Sequence, residues 1–135
     1  MQEKILIVED ETDMADLLKY NLTEKGYNPV LASNGREALE LIEKEMPYLI
    51  LLDLMMEQLD GLAVCSGIRS HTNETIKRLP IIMLTALSES EEKIIGLRLG
   101  ADDYMTKPFN MDELILRIQK QINKKGVEDR LIELL

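Results

Sequence analysis

The sequence predicts an α/β fold, a parallel sheet with helices on both faces. Two observations carry this. Short aliphatic runs at Lys4–Val8, Tyr48–Leu52 and Ile81–Leu84 are apolar almost throughout, as in strands covered on both faces. Between them lie stretches whose apolar residues recur every three or four positions, the helical period. Alternation of the two in a chain of 135 residues is the pattern of βαβ units.

The elements follow in order. After the first strand, Met14, Leu17, Leu18 and Leu22 fall at helical spacing and Gly26 is a natural stop. Asn28–Ala32 is a second, weaker strand. Asn34-Gly35 marks a turn, and Ala38, Leu39 and Ile42 form the apolar stripe of the next helix. The third strand is Tyr48–Leu52, and Asp60-Gly61 turns the chain into a helix running to about Ser70. His71–Leu79 is polar, lacks a strong period and reads as a loop, with an extended end of the third helix as the alternative. Pro80 opens the fourth strand. Ser88 or Ser90 caps a helix that ends near Leu99-Gly100, with Glu91 and Glu92 suited to its positive end. Asp103–Met105 is a short fifth strand. Asn110 then caps a last helix carrying Met111, Leu114, Ile115, Ile118 and Ile122. From Gly126 the tail reads as a linker or a short helix docking on the body, with Val127, Leu131, Leu134 and Leu135 as its stripe. The domain is therefore placed at 1–125 and the tail at 126–135.

Composition narrows the function. The chain is 45% apolar and 30% charged, with net charge −9, which suits a soluble globular domain and disfavours direct nucleic-acid binding or an anionic membrane surface. No apolar run approaches the roughly 20 residues of a membrane helix. The first ten residues lack the regions of a signal peptide, so a cytoplasmic location is expected. A single cysteine, Cys65, excludes an internal disulfide and reads as partly buried packing. His71, a histidine without a partner, is not a metal site, and the eight methionines read as core filler.

In a sheet of this kind ligands bind beyond the carboxyl ends of the strands. Glu9, Asp10 and Glu11 follow the first strand, Asp53 the third, Thr85 the fourth, and Thr106, Lys107 and Pro108 the fifth. Each alone has an ordinary explanation, as a helix cap, a solvated turn or a surface charge. Together they bring carboxylates, a hydroxyl and an ammonium to one edge. Clustered carboxylates are hard to keep ionised without a cation, and hard oxygen ligands suit Mg²⁺. Beside such an ion Asp53 would attack phosphorus in line, with Lys107 and Thr85 on the transferred oxygens.

The motifs ILIVEDE (Ile5–Glu11), LILLDLMM (Leu49–Met56), DG (Asp60-Gly61), PIIMLTA (Pro80–Ala86) and GADDYMTKPF (Gly100–Phe109) agree in order, spacing and context. They resemble the receiver domain of bacterial two-component response regulators over residues 3 to 125, most of all the receivers of winged-helix DNA-binding transcription regulators. The resemblance implies a flavodoxin-like, CheY-like sheet in order 2-1-3-4-5. It implies that Asp53 is the phosphoacceptor, and that Mg²⁺ is held by Asp10, Asp53, Glu9 directly or through water, and the Met55 carbonyl. Lys107, Thr85 and the Ala86 N–H would hold the phosphoryl group. Lys107-Pro108 would be cis, and Tyr104 would be the switch aromatic that follows Thr85. The implied phosphodonor is a sensor histidine kinase, with small phosphodonors as alternatives. The chain turns over once per phosphoryl group, so it reads as a signalling protein and not an enzyme.

Two departures carry expectations. Glu57 stands where the family has a loop proline, which frees a φ angle and adds a carboxylate that would perturb Mg²⁺ affinity. Met55 and Leu87, two residues beyond Asp53 and Thr85, are apolar and would leave hydrolytic water unoriented, so self-dephosphorylation should be slow. For output, Lys93, Ile94, Leu97, Asp102, Asp103, Glu113, Ile115 and Arg117 resemble the dimer face of winged-helix regulators. That pattern offers reciprocal Lys93–Glu113 and Asp103–Arg117 pairs across a two-fold axis, while Arg98 and Gln119 depart from a third. A stand-alone receiver and a receiver with an enzymatic output remain as alternatives. A flavodoxin-like cofactor binder is disfavoured, because no Ser/Thr/Gly-rich phosphate loop follows the first strand.

Overall fold

The computed structural model describes residues 2–54, 61–86 and 100–135. Five parallel strands, β1 (Lys4–Val8), β2 (Asn28–Ala32), β3 (Leu49–Asp53), β4 (Ile81–Thr85) and β5 (Asp103–Thr106), form one sheet in the order β2-β1-β3-β4-β5. The described helices are α1 (Thr12–Glu24), α2 (Gly35–Glu45), α3 (Gly61–Arg69), α4 (Glu74–Lys77) and α5 (Met111–Glu133). The helix expected between Ser88 and Gly100 lies outside the described residues.

The apolar runs divide by the two-residue period of a strand. Leu6, Val8, Ile50, Leu52, Ile81 and Met83 face one core layer, closed by Ala38 and Ile42 of α2 and Val64, Cys65 and Ile68 of α3. Ile5, Ile7, Leu49, Leu51, Ile82 and Leu84 face the other, closed by Leu18 and Leu22 of α1 and Leu114, Ile115 and Ile118 of α5. With both faces covered, no polar alternation is left in β1, β3 or β4. Truncating a fully buried residue such as Ile50 to alanine would cost about 2–5 kcal/mol.

Asn110 caps the last helix as expected, and Asn34, read as a turn residue, and Glu11 prove to be caps as well. The Asn34 side chain accepts from Glu37 N, and that of Asn110 from Glu113 N. Glu11 caps α1 by accepting from Met14 N.

The structure corrects several expectations. His71–Leu79 contains α4, a single turn whose first N–H groups are taken by the Asn73 carboxamide and which buries Ile76 against α3's layer. The final helix does not stop before Gly126 but runs to Glu133. Val127, Leu131, Leu134 and Leu135 stay exposed, while Lys125 turns inward over the Tyr48 ring and pairs with Asp129. Leu17, counted in the α1 stripe, is half exposed. Cys65 is fully buried. His71, not read as a metal ligand, makes hydrogen bonds: its Nδ1 accepts from Asn73 N, and its Nε2 meets Glu43 Oε1 at 2.8 Å.

Candidate functional site

The site forms where β1, β3, β4 and β5 end. Parallel pairing sets Asp53 opposite Leu84 and Thr85 opposite Thr106, so the ends are level and the residues after them converge. Glu9 continues from β1, its N–H donating to Ala32 O. Beyond β5, Lys107 N donates to Thr85 O at 2.7 Å, which ties the backbones of the hydroxyl and ammonium residues together. Lys107-Pro108 is cis, as expected.

Glu9, Asp53 and Thr85 are buried, whereas Asp10 is exposed at the rim. Carboxylate oxygens of Glu9, Asp10 and Asp53 lie within 4.8 Å of one another. Lys107 Nζ stands 3.0 Å from Glu9 Oε1 and 3.2 Å from Asp53 Oδ2. Burial, followed by a hydrogen bond shared with Asp53, pushes Glu9 up to about 7, against the opposing pull of Lys107. Burial lowers Lys107, but its hydrogen bonds and charge contacts with Glu9 and Asp53 outweigh this and raise it overall. One ammonium against three carboxylates leaves excess negative charge, and an all-oxygen donor set of this kind fits a hard divalent cation. The carboxylates that would hold it are Glu9, Asp10 and Asp53. Glu11, next in sequence, is used as the α1 cap.

The remaining predicted residues divide. Ala86 follows β4 directly and is exposed. Tyr104 is half-buried in β5 and packs on the α2/α3 layer. Met55, Glu57, Leu87, Lys93, Ile94, Leu97 and Arg98 lie outside the described residues. Along β5 and α5 runs a groove of about 420 Å³, lined in part by Asp103, Tyr104, Glu113 and Arg117 and not by Glu9, Asp10 or Asp53. There one guanidinium joins the expected dimer-face groups within the chain. Arg117 bonds Asp103 Oδ1 at 2.7 Å, Glu113 Oε1 at 2.8 Å and Tyr104 O at 3.0 Å. Asp102 instead turns to Arg69 of α3 at 2.9 Å, and Ile115 is buried in the core. Asp102 stays exposed while it makes this bond, whereas the Ile115 side chain does not reach the surface. The Arg69 contact escaped sequence reading because its partners lie up to 33 residues away.

Comparison with known proteins agrees with this geometry. The family model described as the response regulator receiver domain matches residues 5–119. The alkaline phosphatase synthesis transcriptional regulatory protein PhoP of Bacillus subtilis (strain 168) is 45% identical over 127 residues, 94% of this chain and 51% of that protein. The chain thus spans about half the length of this curated relative. Among solved structures, the receiver domain of the Francisella response regulator 1452 has a TM-score of 0.83 at 36% identity, covering 92% of this chain and 99% of that one. NtrX from Brucella abortus, solved in complex with ADP, has a TM-score of 0.89 at 30% identity, covering 100% of this chain and 30% of that one. The chain belongs to the response regulator receiver domain family.

Proposed function

We propose that the chain accepts a phosphoryl group on Asp53 from a sensor histidine kinase and converts it into a change of its β5/α5 surface. The observation that carries this is the buried Asp53 carboxylate, 3.2 Å from Lys107 Nζ and within 4.8 Å of the Glu9 and Asp10 carboxylates. An Asp53 oxygen bonds to phosphorus as the donor's P–N bond breaks, and the bonding pair leaves on the imidazole nitrogen. Lys107 is in reach of the transferred oxygens, where a fixed ammonium stabilises charge without reorganisation. Mg²⁺ held by Glu9, Asp10 and Asp53, with the Met55 carbonyl as a further ligand, would supply charge neutralisation at those oxygens. Thr85 and the Ala86 N–H complete the phosphoryl contacts.

The 2.7 Å bond from Lys107 N to Thr85 O supports a coupled response, since a shift of the Thr85 backbone would load the β5 end. Tyr104, in the same strand, is the residue that reads it. Asp103, Glu113 and Arg117, with Lys93, Ile94 and Leu97, would then re-pair with a second copy, which suits the receiver of a transcription regulator. The Arg117 bonds within the chain are the arrangement such a dimer would replace. Apolar Met55 and Leu87 support a slow return to the unphosphorylated state.

Intact mass after incubation with acetyl phosphate or phosphoramidate and Mg²⁺ tests the reading, for wild type and Asp53→Asn. A phosphoryl-sized gain confined to wild type is expected, with a matching shift to dimer on a sizing column. An equal gain in Asp53→Asn would end the assignment of the acceptor.

A further inference from the structure

Helix α3 begins against the backbone of the acceptor strand. Gly61, its first residue, is buried, and a Cβ placed on it would lie 2.8 Å from the Asp53 carbonyl oxygen and 2.9 Å from the Leu54 Cα. Both are backbone atoms, which cannot swing aside as the end of a long side chain would. A third contact, 3.0 Å to Leu54 Cδ2, closes the same side. Backbone conformation does not call for a glycine here, because the positive-φ glycines among the described residues are Gly26 and Gly100. What the missing side chain permits is close approach.

On its other side the same backbone is held by β4, with Leu54 N donating to Leu84 O at 3.0 Å. Asp53 and Leu54 are therefore gripped between a strand and the first residue of a helix. The Asp53 distances to Lys107, Glu9 and Asp10 all depend on where that backbone sits. Gly67, in the same helix, offers a contrast: a Cβ there would meet only the Leu39 side chain, at 3.2 Å and 3.7 Å.

We infer that Gly61 is a positioning residue for phosphoryl acceptance, setting the reach of the Asp53 carboxylate by letting α3 seat directly on the Asp53–Leu54 backbone. This rests on Asp53 being the acceptor. With alanine at position 61 either the strand end or the helix must shift, and the carboxylate shifts with it. Positional errors on this scale lower rates steeply in reactions that depend on alignment.

The test compares wild type, Gly61→Ala and Gly67→Ala in the full chain, each checked for folding by circular dichroism. Two quantities are read: the Mg²⁺ dissociation constant by calorimetry without phosphodonor, and the maximal phosphorylation rate with phosphoramidate by intact mass. Gly61→Ala should weaken Mg²⁺ and slow phosphorylation by about tenfold or more, with Gly67→Ala within about twofold of wild type in both. Equal behaviour of the two alanine variants overturns the inference. If Gly61→Ala does not fold, the Gly61→Ala/Leu54→Ala double variant, which removes the Leu54 Cδ2 contact and keeps both backbone contacts, is read in its place, and wild-type values there overturn the inference equally. Failure of the acceptor reading looks different: no protein gains mass, wild type included, and the Mg²⁺ constants alone then decide whether Gly61 sets the carboxylate.

Discussion

Lys107 Nζ lies 3.0 Å from Oε1 of Glu9, whose side chain is only 1% exposed and stands 98 residues away in sequence. Even with this partner Glu9 is pushed up to about 7 from the ordinary 4.5, by burial first and Asp53 second. A carboxyl raised in this way binds its proton more tightly folded than unfolded. The stability it lends is complete below about pH 4.5 and is lost as pH rises to about 7. Metal-free protein should therefore melt progressively lower between pH 5 and pH 8. Mg²⁺, which needs the ionised carboxylate, should raise the melting temperature strongly at pH 8 and weakly at pH 5. A melting temperature that ignores Mg²⁺ at both pH values would contradict this account of the cluster.

Met46 closes α2 in the left-handed region, at φ 47° and ψ 63°, with its N–H on Ile42 O. Glycine takes that conformation without the Cβ clash. Met46→Gly should stabilise the fold by about 0.5–1 kcal/mol, measured as a shift in the urea midpoint at unchanged slope.

Gln121 is the buried polar residue of α5, 7% exposed, and its carboxamide has no hydrogen-bond partner among the described residues. A buried amide without a partner costs free energy that an apolar side chain of like shape would not. Gln121→Met should raise stability by about 1–2 kcal/mol in chemical denaturation. Loss of stability instead would mean that the amide holds a bridging water.

Much of this was legible in the sequence, for a physical reason. Strands buried on both faces announce themselves as unbroken apolar runs, and parallel pairing brings the residues after them to one edge, so Glu9, Asp53, Thr85 and Lys107 could be grouped before their distances were known. What escaped has no periodic signature. With one turn and one buried residue, Ile76, α4 is too short to show a period, and its only signal is the Asn73 cap. The tail from Gly126 reads as separate from the last helix, and glycine costs about 1 kcal/mol in a helix interior, yet Lys125 on Tyr48 and Asp129 holds that turn in place. Polar contacts across long sequence separations, such as His71–Glu43, leave no trace in local pattern.

The Arg69–Asp102 pair makes the same point and can be tested directly. Arg69 donates to Gly100 O, Lys77 O, Leu79 O and Asp102 Oδ2, all at 2.8–2.9 Å, and Asp102 Oδ2 also accepts from Ile81 N. One guanidinium thus fastens the end of α3 to the α4 turn, the start of β4 and the approach to β5. Removing it leaves carbonyls and a carboxylate short of donors, so Arg69→Ala should cost about 2–4 kcal/mol. Lysine cannot span the fork and should recover little of the loss. If Asp102 serves this fastening, Asp102→Asn should destabilise the monomer, and a double-mutant cycle with Arg69→Ala should give a coupling above about 1 kcal/mol. If Asp102 serves an interface between copies instead, Asp102→Asn should leave monomer stability unchanged and weaken only the phosphorylation-dependent dimer. The four short bonds of Arg69 favour the first outcome.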